Sequence, residues 1–551
     1  MVWMRRGLIP ELLADAAWQY SDVEVVSGNV RHTYAESWDR VVRLARSLSE
    51  LGVRKGTVVG VLDVNSHRYF ELQYALGLAG AVVHTLNFRL PMEDLVFTVR
   101  HAQDEVLFVW DGFRSLGEAL QPYVRTLVWM PEDPGVPATG GRAADGTDGG
   151  TLSRAPTSEA PLVYESLIQA QLPGISPPDV SLSDTDAYSI FYTTGTTGRP
   201  KGMVYRHRDM VQAPLQIAHH LAVHDTGAKV QAGDTILPLI PFFHIHGWGT
   251  PFFAPYLGCK LVLPGRADAG EQLRLIRSEQ VTWSNMVPTQ LTMLLDALAG
   301  EPAANGHGFL PLKVLTGGSP LASGLARRAH QAGVEFSLIY GGSDQLGAAI
   351  SAVRSGRQEE ENRLEQLSTR LRPLPMVRVR VSDDAGQDVP RDGKTIGELW
   401  VQSPWLPDGY LGDEEASRAA YRDGWFRSGD LAVWHADGWF HVVDRFKDAV
   451  KSGGEWIATS VIEGVLSEVS GVELAAVIPI PDDRWGERPL AVLQARDTVD
   501  EATVRAHLQA AVSSGRLARF WLPDRVVFVQ SMPLTSAGKI HKAALRQMRF
   551  S

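Results

Sequence analysis

The chain has 551 residues, of which 44% are hydrophobic and 21% charged, and its formal net charge is −10; this is ordinary globular composition, in a chain too long for one ordinary domain. The acidic surplus excludes a general nucleic-acid binder, since nothing supplies a broad basic face. The single cysteine, Cys259, excludes an internal disulfide and a cysteine-based zinc site, and fits a reducing, cytoplasmic compartment.

The first residues are basic, but Pro10, Glu11 and Asp15 interrupt the apolar core that a signal peptide needs. No stretch approaches ~18 uninterrupted apolar residues, so no transmembrane anchoring is expected. Thr33 and Glu36 form a capping box ahead of Tyr34, Trp38, Val41, Ala45 and Leu48, which recur at helical steps until Gly52. Val58 to Leu62 and Glu105 to Val109 read as buried strands with helices between them, a pattern of α/β layers. Pro131 to Pro161 is rich in Pro, Gly, Ala, Thr and Asp and is expected to be an exposed, mobile insertion.

The most informative stretch follows: Tyr192-Thr193-Thr194-Gly195-Thr196-Thr197-Gly198-Arg199-Pro200-Lys201-Gly202. Its glycines let the backbone approach an anion, its threonines add donors, and Arg199 and Lys201 add charge, which together make a phosphate cradle. It is not a Walker A loop, because Pro200-Lys201-Gly202 stands where that motif needs Gly-Lys-Ser/Thr.

Pro241 to Trp248 is aromatic-rich and holds His244 and His246; no cysteine or carboxylate motif completes a metal site around them. Thr316-Gly317-Gly318-Ser319-Pro320 follows the apolar Val314-Leu315. Tyr340-Gly341-Gly342-Ser343-Asp344 follows Phe336 to Ile339, expected to be a strand end. An aromatic beside two glycines can stack on a flat base, and the hydroxyl and carboxylate after it can meet a phosphate and a metal.

Glu359 to Arg370 reads as a solvated helix. Asp430 lies between the turn-forming Gly424 and Asp437-Gly438. A second compositional unit begins near Asp444, where Asp444-Arg445-Phe446-Lys447-Asp448 precedes Ser452-Gly453-Gly454-Glu455-Trp456. The remaining residues suffice for one small α+β domain. Pro533 to Ile540 contains a Gly538-Lys539 pair.

Taken in this order, the motifs resemble those of the adenylate-forming superfamily: acyl-CoA synthetases, adenylation domains of peptide synthetases, and beetle luciferases. The resemblance covers the whole chain. Gly80 to Arg89 and Ser452 to Ile457 look most like fatty-acyl-CoA ligases. It implies a multi-domain α/β fold: a large N-terminal domain (1–444) of layered β/α subdomains with a barrel-like part, and a small mobile C-terminal α+β domain (445–551).

The same resemblance implies residue roles. Thr193 to Gly198 and Lys201 would bind phosphates. Gly317, Gly318, Ser319, Tyr340, Gly341, Gly342 and Ser343 would hold the adenine side and α-phosphate, and Asp430 and Arg445 the ribose. Asp344 would serve Mg²⁺; it is one methylene shorter than the family's glutamate, a reach that a bridging water restores. Ser343 and Ser428 stand where the family has threonine.

His244 would lie near the substrate carboxylate, with Trp248, Gly317 and Trp456 in the acid pocket. Lys447 would be the hinge, and Ser452, Gly453 and Gly454 the coenzyme A channel. Lys539 would bridge carboxylate and α-phosphate.

The implied reaction is ATP-dependent formation of acyl-AMP with release of pyrophosphate, then transfer to coenzyme A. A carrier-protein thiol or an amine as acceptor, and nitrite as the activated acid, remain open, as do the acid's identity and a homodimeric state. Lys201, Asp430, Arg445 and Lys539 argue against a catalytically dead binding protein.

Overall fold

The chain is described by a computed structural model covering residues 7–131, 161–193, 199–300, 308–353, 360–383, 385–453, 455–495, 499–534 and 540–550. Most of the Pro131–Pro161 insertion therefore lies outside the described residues.

Local signals near the N-terminus act as expected. Helix Tyr34–Glu50 opens on Thr33, whose hydroxyl accepts from the Glu36 N–H at 3.2 Å while Glu36 accepts from the Thr33 N–H at 2.8 Å. Gly52 follows with φ +87°.

Strands Val58–Leu62 and Val106–Trp110 form one sheet with Val82–Thr85, Ala187–Tyr192 and others. Neighbours there run parallel until Gly202–Arg206 closes the edge antiparallel to Ala187–Tyr192. Val106–Trp110 is buried throughout, as a parallel strand covered on both faces should be.

Among the described residues the second sheet has fourteen strands. Lys260–Leu263, Thr235–Pro238, Trp283–Met286, Lys313–Gly317 and Glu335–Gly342 are parallel. At Leu346–Ser351 the pairing turns antiparallel, and it stays so through Leu371–Pro373, Phe440–Arg445, Trp425–His435, Asp392–Gln402 and Arg378–Ser382. The antiparallel strands thus continue the parallel sheet.

Strand Glu335–Gly342 also runs past the expected end at Ile339, with a bulge between Tyr340 and Gly341. The Ser343-Asp344-Gln345 segment is consequently a tight turn at the carboxyl end of a parallel strand, where open α/β sheets bind ligands. Helix Glu360–Thr369 forms as expected, but it buries Gln366 and Leu367.

Beyond Arg445 the described residues form further, smaller sheets. Strands Val472–Asp482, Gly486–Ala495 and Arg525–Phe528 form a three-stranded sheet. Helices Thr459–Leu466 and Glu501–Ser513 pack on it around Ile462, Leu466, Val477, Leu493 and Leu508, a core of its own. No helix among the described residues is long and apolar enough to cross a membrane.

Candidate active site

The segment expected to bind phosphate connects two antiparallel strands whose last pair is Tyr192 and Gly202. Its base is pinned twice: the Thr193 N–H donates to the Lys201 carbonyl at 2.9 Å, and the Lys201 N–H donates to Thr193 Oγ1 at 3.2 Å. A side chain on Gly202 would meet the Tyr192 ring at 2.9 Å and would have to displace it. Thr194, Gly195, Thr196, Thr197 and Gly198 lie outside the described residues. The Arg199 guanidinium rests over the Phe97 ring at 5.1 Å, and the Lys201 ammonium sits 4.6 Å from the centre of the Tyr410 ring.

Facing Lys201 is the Ser343–Gln345 turn, held by three tyrosines. Tyr205 donates to the Ser343 carbonyl at 2.6 Å, Tyr421 to the Asp344 carbonyl at 2.8 Å, and Tyr410 to Asp344 Oδ1 at 2.7 Å. Burial raises the Asp344 pKa, against the opposing pull of the Tyr410 hydrogen bond and the Lys201 and Arg445 charges. A cleft of about 320 Å³ opens here, lined by Lys201, Asp344, Tyr410, Phe426, Ser428 and Gly429 among others.

Among the described residues no group of three or more His, Cys, Asp or Glu could cage a metal. One carboxylate lining a cleft with a lysine nevertheless suits Mg²⁺, which keeps several waters and binds through one or two carboxylates plus substrate phosphates. Asp344 would hold it, and the ion would neutralise phosphate charge.

On the other side of the turn, the Tyr340 hydroxyl donates to Asp430 Oδ2 at 2.7 Å. Asp430 and Arg445 stand directly opposite each other on paired strands, with Arg445 Nε 3.6 Å from Asp430 Oδ1. Ser428 Oγ donates to the Leu399 carbonyl and accepts from the Asp430 N–H at 3.1 Å, so the serine fixes the backbone that presents the carboxylate. Gly429 takes φ +68° just before it.

The segment around Trp248 is strained. Ile245, His246, Gly247, Trp248 and Gly249 all have positive φ, between 45° and 80°. Three of them are not glycine, and each such residue costs of order 1–3 kcal/mol unless its surroundings impose the conformation. They do: Asn285 Nδ2 donates to the Gly247 carbonyl at 2.8 Å, and Thr85 Oγ1 donates to the Phe243 carbonyl at 3.0 Å.

The turn delivers the buried Trp248 against Gly317, where a side chain would lie 3.3 Å from the indole and 2.4 Å from the Ile339 carbonyl. Gly318 follows with φ +81°, and Ser319 is half-buried. His246 is fully buried. Ser189 Oγ donates to the Val83 carbonyl and so accepts from His246 Nε2 at 2.9 Å. Burial holds His246 down to about 3, which makes it a neutral structural residue. His244 is exposed.

Trp456 and the glycine-rich loop lie elsewhere. Trp456 packs 4.9 Å from Phe446, with the Lys451 ammonium 4.8 Å from its ring centre. Ser452 is buried, 3.4 Å from Arg488 Nη1. The Gly453 N–H donates to the Trp485 carbonyl at 2.8 Å, with the Trp485 ring close over its α-carbon. Arg546 donates to the Lys447 carbonyl at 2.8 Å and pairs with Asp448 at 2.7 Å. Burial lowers the Lys447 pKa, and the Arg445 charge adds to the effect. Gly454 and Lys539 lie outside the described residues.

Two clusters therefore form from segments far apart in sequence: Lys201 with Tyr410 and Asp344, and Tyr340 with Asp430 and Arg445. Trp248 meets Gly317, whereas Trp456 meets the residues around Lys447. Sequence reasoning missed Tyr205, Tyr410 and Tyr421. Only Tyr410 has a local signal, its place between Gly409 and Gly412.

Residues 13–411 match the family model described as AMP-binding enzyme, and residues 461–539 match that of the AMP-binding enzyme C-terminal domain. A long-chain-fatty-acid–CoA ligase of Thermus thermophilus is 36% identical, over 98% of this chain and 94% of that one. A medium-chain-fatty-acid–CoA ligase of Ectopseudomonas oleovorans is 32% identical, over 99% and 96%. A 3-methylmercaptopropionyl-CoA ligase of Ruegeria pomeroyi is also 32% identical, over 98% and 97%.

Among solved structures, the anthranilate CoA ligase AuaEII in complex with anthranoyl-AMP superposes with a TM-score of 0.81 at 22% identity, covering 98% of this chain and 96% of that one. The amide bond synthetase McbA from Marinactinospora thermotolerans gives 0.76 at 23%, covering 98% and 99%. These two likenesses show the fold. With family models matched across both its large and its small part, the chain belongs to the AMP-binding enzymes, the ATP-dependent adenylate-forming ligases.

Proposed function

We propose that this ligase activates an aliphatic carboxylic acid, and that its two clusters divide the work on ATP. The overall reaction is that of an acyl-CoA ligase. A carboxylate oxygen attacks the α-phosphorus of ATP, the bond to the β,γ-pyrophosphate breaks, and acyl-AMP forms. The sulfur of coenzyme A then attacks the acyl carbonyl, the bond to AMP oxygen breaks, and the thioester leaves with AMP.

In the first step Lys201 and the phosphate-loop amides would offset charge on the phosphates, the kind of preorganised contact that is worth most where water is excluded. Asp344 would take Mg²⁺ with the nucleotide's own oxygens. Asp430 would accept from the ribose hydroxyls beside Arg445, and Tyr340 would present its ring to the adenine near Gly317, Gly318, Ser319, Gly341, Gly342 and Ser343. His244 would meet the acid's carboxylate at the mouth of a pocket walled by Trp248.

For the second step the small unit, residues 445–551, would rotate about Lys447. That rotation would exchange Lys539 for the Ser452–Gly454 loop and let one site serve two reactions. A cytoplasmic location, where ATP and coenzyme A are both present, belongs to the same reading.

The observation that carries this reading is the meeting of Tyr340, Asp430 and Arg445 beside the turn that bears Asp344, within reach of Lys201. Aliphatic acids are favoured because the relatives at 32–36% identity are named for fatty acids and a methylmercapto-substituted propionate. Acid-dependent pyrophosphate release, measured over straight-chain acids of increasing length and over benzoates, tests the substrate class. Release should rise along the aliphatic series; release with the aromatic acids alone would overturn it.

A further inference from the structure

We infer that Tyr410 is a positioning residue of the adenylation step, one side chain that sets both the acidic and the basic partner of the triphosphate. Its hydroxyl is bound to Asp344 Oδ1 at 2.7 Å, and its ring carries the Lys201 ammonium at 4.6 Å. The two contacts use different parts of the same residue. They tie the base of the phosphate loop to the Ser343–Gln345 turn, two segments that no regular strand pairing among the described residues joins directly.

Tyr410 is itself fixed. Its N–H donates to Ser417 Oγ at 2.8 Å, the Leu411 N–H donates to the Gly202 carbonyl at 2.7 Å, and its ring lies 5.4 Å from that of Tyr421. The Gly202 contact is one residue from Lys201, so the Tyr410 segment grips the loop through backbone as well as through the ring. A carboxylate on a short side chain has little freedom to find a metal by itself. Fixing one of its oxygens restricts the carboxylate to the orientations in which the other can meet a nucleotide-borne cation, which is how hydrogen-bonded neighbours tune metal ligands.

The inference rests on the proposed role of Asp344 toward Mg²⁺. The test is a double-mutant cycle on the full chain with Tyr410→Phe, Asp344→Asn and the pair together. Isothermal titration calorimetry reads ATP affinity with and without Mg²⁺, with no acid present and hence no turnover, and thermal unfolding checks each variant's fold.

Wild type should bind ATP more tightly with Mg²⁺ than without. Tyr410→Phe should reduce that Mg²⁺ advantage by about ten- to a hundredfold while keeping metal-free affinity, since loss of a ligand's hydrogen-bonded partner has effects of that size. The double variant should be no worse than Asp344→Asn. Tyr410→Leu, which also removes the ring under Lys201, should in addition weaken metal-free ATP binding, roughly two- to thirtyfold.

An unchanged Mg²⁺ advantage in folded Tyr410→Phe, or full additivity in the double variant, overturns the inference and leaves the role of Asp344 standing. A wild-type protein with no Mg²⁺ advantage overturns the role of Asp344 and the inference with it.

Discussion

The Tyr340 hydroxyl donates to Asp430 Oδ2 at 2.7 Å, joining the end of the last parallel strand of the large sheet to a strand of its antiparallel half. Arg445, across the ladder, faces the other carboxylate oxygen at 3.6 Å. The carboxylate is thus oriented by both neighbours, and the tyrosine stays protonated, since burial and the Asp430 charge raise its pKa well above the usual range.

Removing the carboxylate and removing its orienting donor should therefore have unequal effects. Asp430→Ala should raise KM for ATP by roughly ten- to a hundredfold, the 1.5–3 kcal/mol of a charge-assisted hydrogen bond. Tyr340→Phe should raise it by less. Steady-state kinetics with ATP as the varied substrate checks this, and equal effects would mean that Asp430 needs no orientation.

Trp248 is buried against Gly317, so shortening it opens space there, which on the proposed reading is the wall of the acid pocket. Trp248→Ala should shift preference toward bulkier acids, by ~1–3 kcal/mol per methylene-sized gain. It should also lower stability by about 3–5 kcal/mol, as large-to-small changes of a buried aromatic do. Ratios of kcat/KM across an acid series, taken beside a denaturant midpoint, separate the two effects. A destabilised protein with an unchanged acid profile would place Trp248 in the structural core alone.

Acid should weaken the fold in part through His246. Folded, its pKa is down at about 3 because it is buried; unfolded, it returns to about 6.5. The folded state then binds fewer protons than the unfolded state across that window. The contribution is complete above pH 6.5 and is lost as pH falls from 6.5 toward 3, by at most about 1.36 kcal/mol per pH unit. His246→Gln keeps a polar atom near Ser189 and removes the titration. It should be less stable than wild type at pH 7.5, yet lose less on moving to pH 5. Urea midpoints at the two pH values check this, and parallel losses in both proteins would contradict it.

The proposed rotation separates the effects of two lysines. Lys539→Ala should abolish acyl-AMP formation while still converting supplied acyl-AMP to thioester. Lys447→Pro, which fixes φ at the pivot, should release pyrophosphate and fail at thioester formation. Each half-reaction measured alone in each variant decides it; equal losses everywhere would mean no rotation.

What the sequence revealed and what it hid differ in physical kind. The helix at Tyr34 and the strand at Val58 were legible because capping and burial act over a few residues. Glycines, threonines and charges at fixed spacing marked Thr193–Lys201, Asp430 and Arg445 as candidates even though the segments are far apart in the chain, and the structure brings Asp430 and Arg445 face to face.

Tyr205, Tyr410 and Tyr421 were not legible. A tyrosine that donates one hydrogen bond to a distant turn leaves no spacing behind, and its partner is known only once both strands are placed. The continuous sheet was hidden for the same reason, as pairing between Glu335–Gly342 and Leu346–Ser351 depends on a turn whose geometry three tyrosines hold. The left-handed run from Ile245 to Gly249 lay hidden too, because two glycines account for only part of it. Trp456, which the resemblance groups with the acid pocket, packs against Phe446 and Lys451, a contact between neighbours in the chain that motif spacing does not show.

The central claim is that this site makes an acyl adenylate and hands the acyl group to coenzyme A. The most direct measurement is product analysis by mass spectrometry after incubation with ATP, Mg²⁺ and a straight-chain acid, with and without coenzyme A, for wild type and Lys201→Ala. Wild type should form acyl-AMP without coenzyme A, and equal amounts of AMP and acyl-CoA with it. Lys201→Ala should slow both by about ten- to a thousandfold, as removal of one preorganised charge contact does. Acyl-AMP that accumulates unchanged when coenzyme A is added, and is consumed only by an amine or a carrier thiol, would contradict the account.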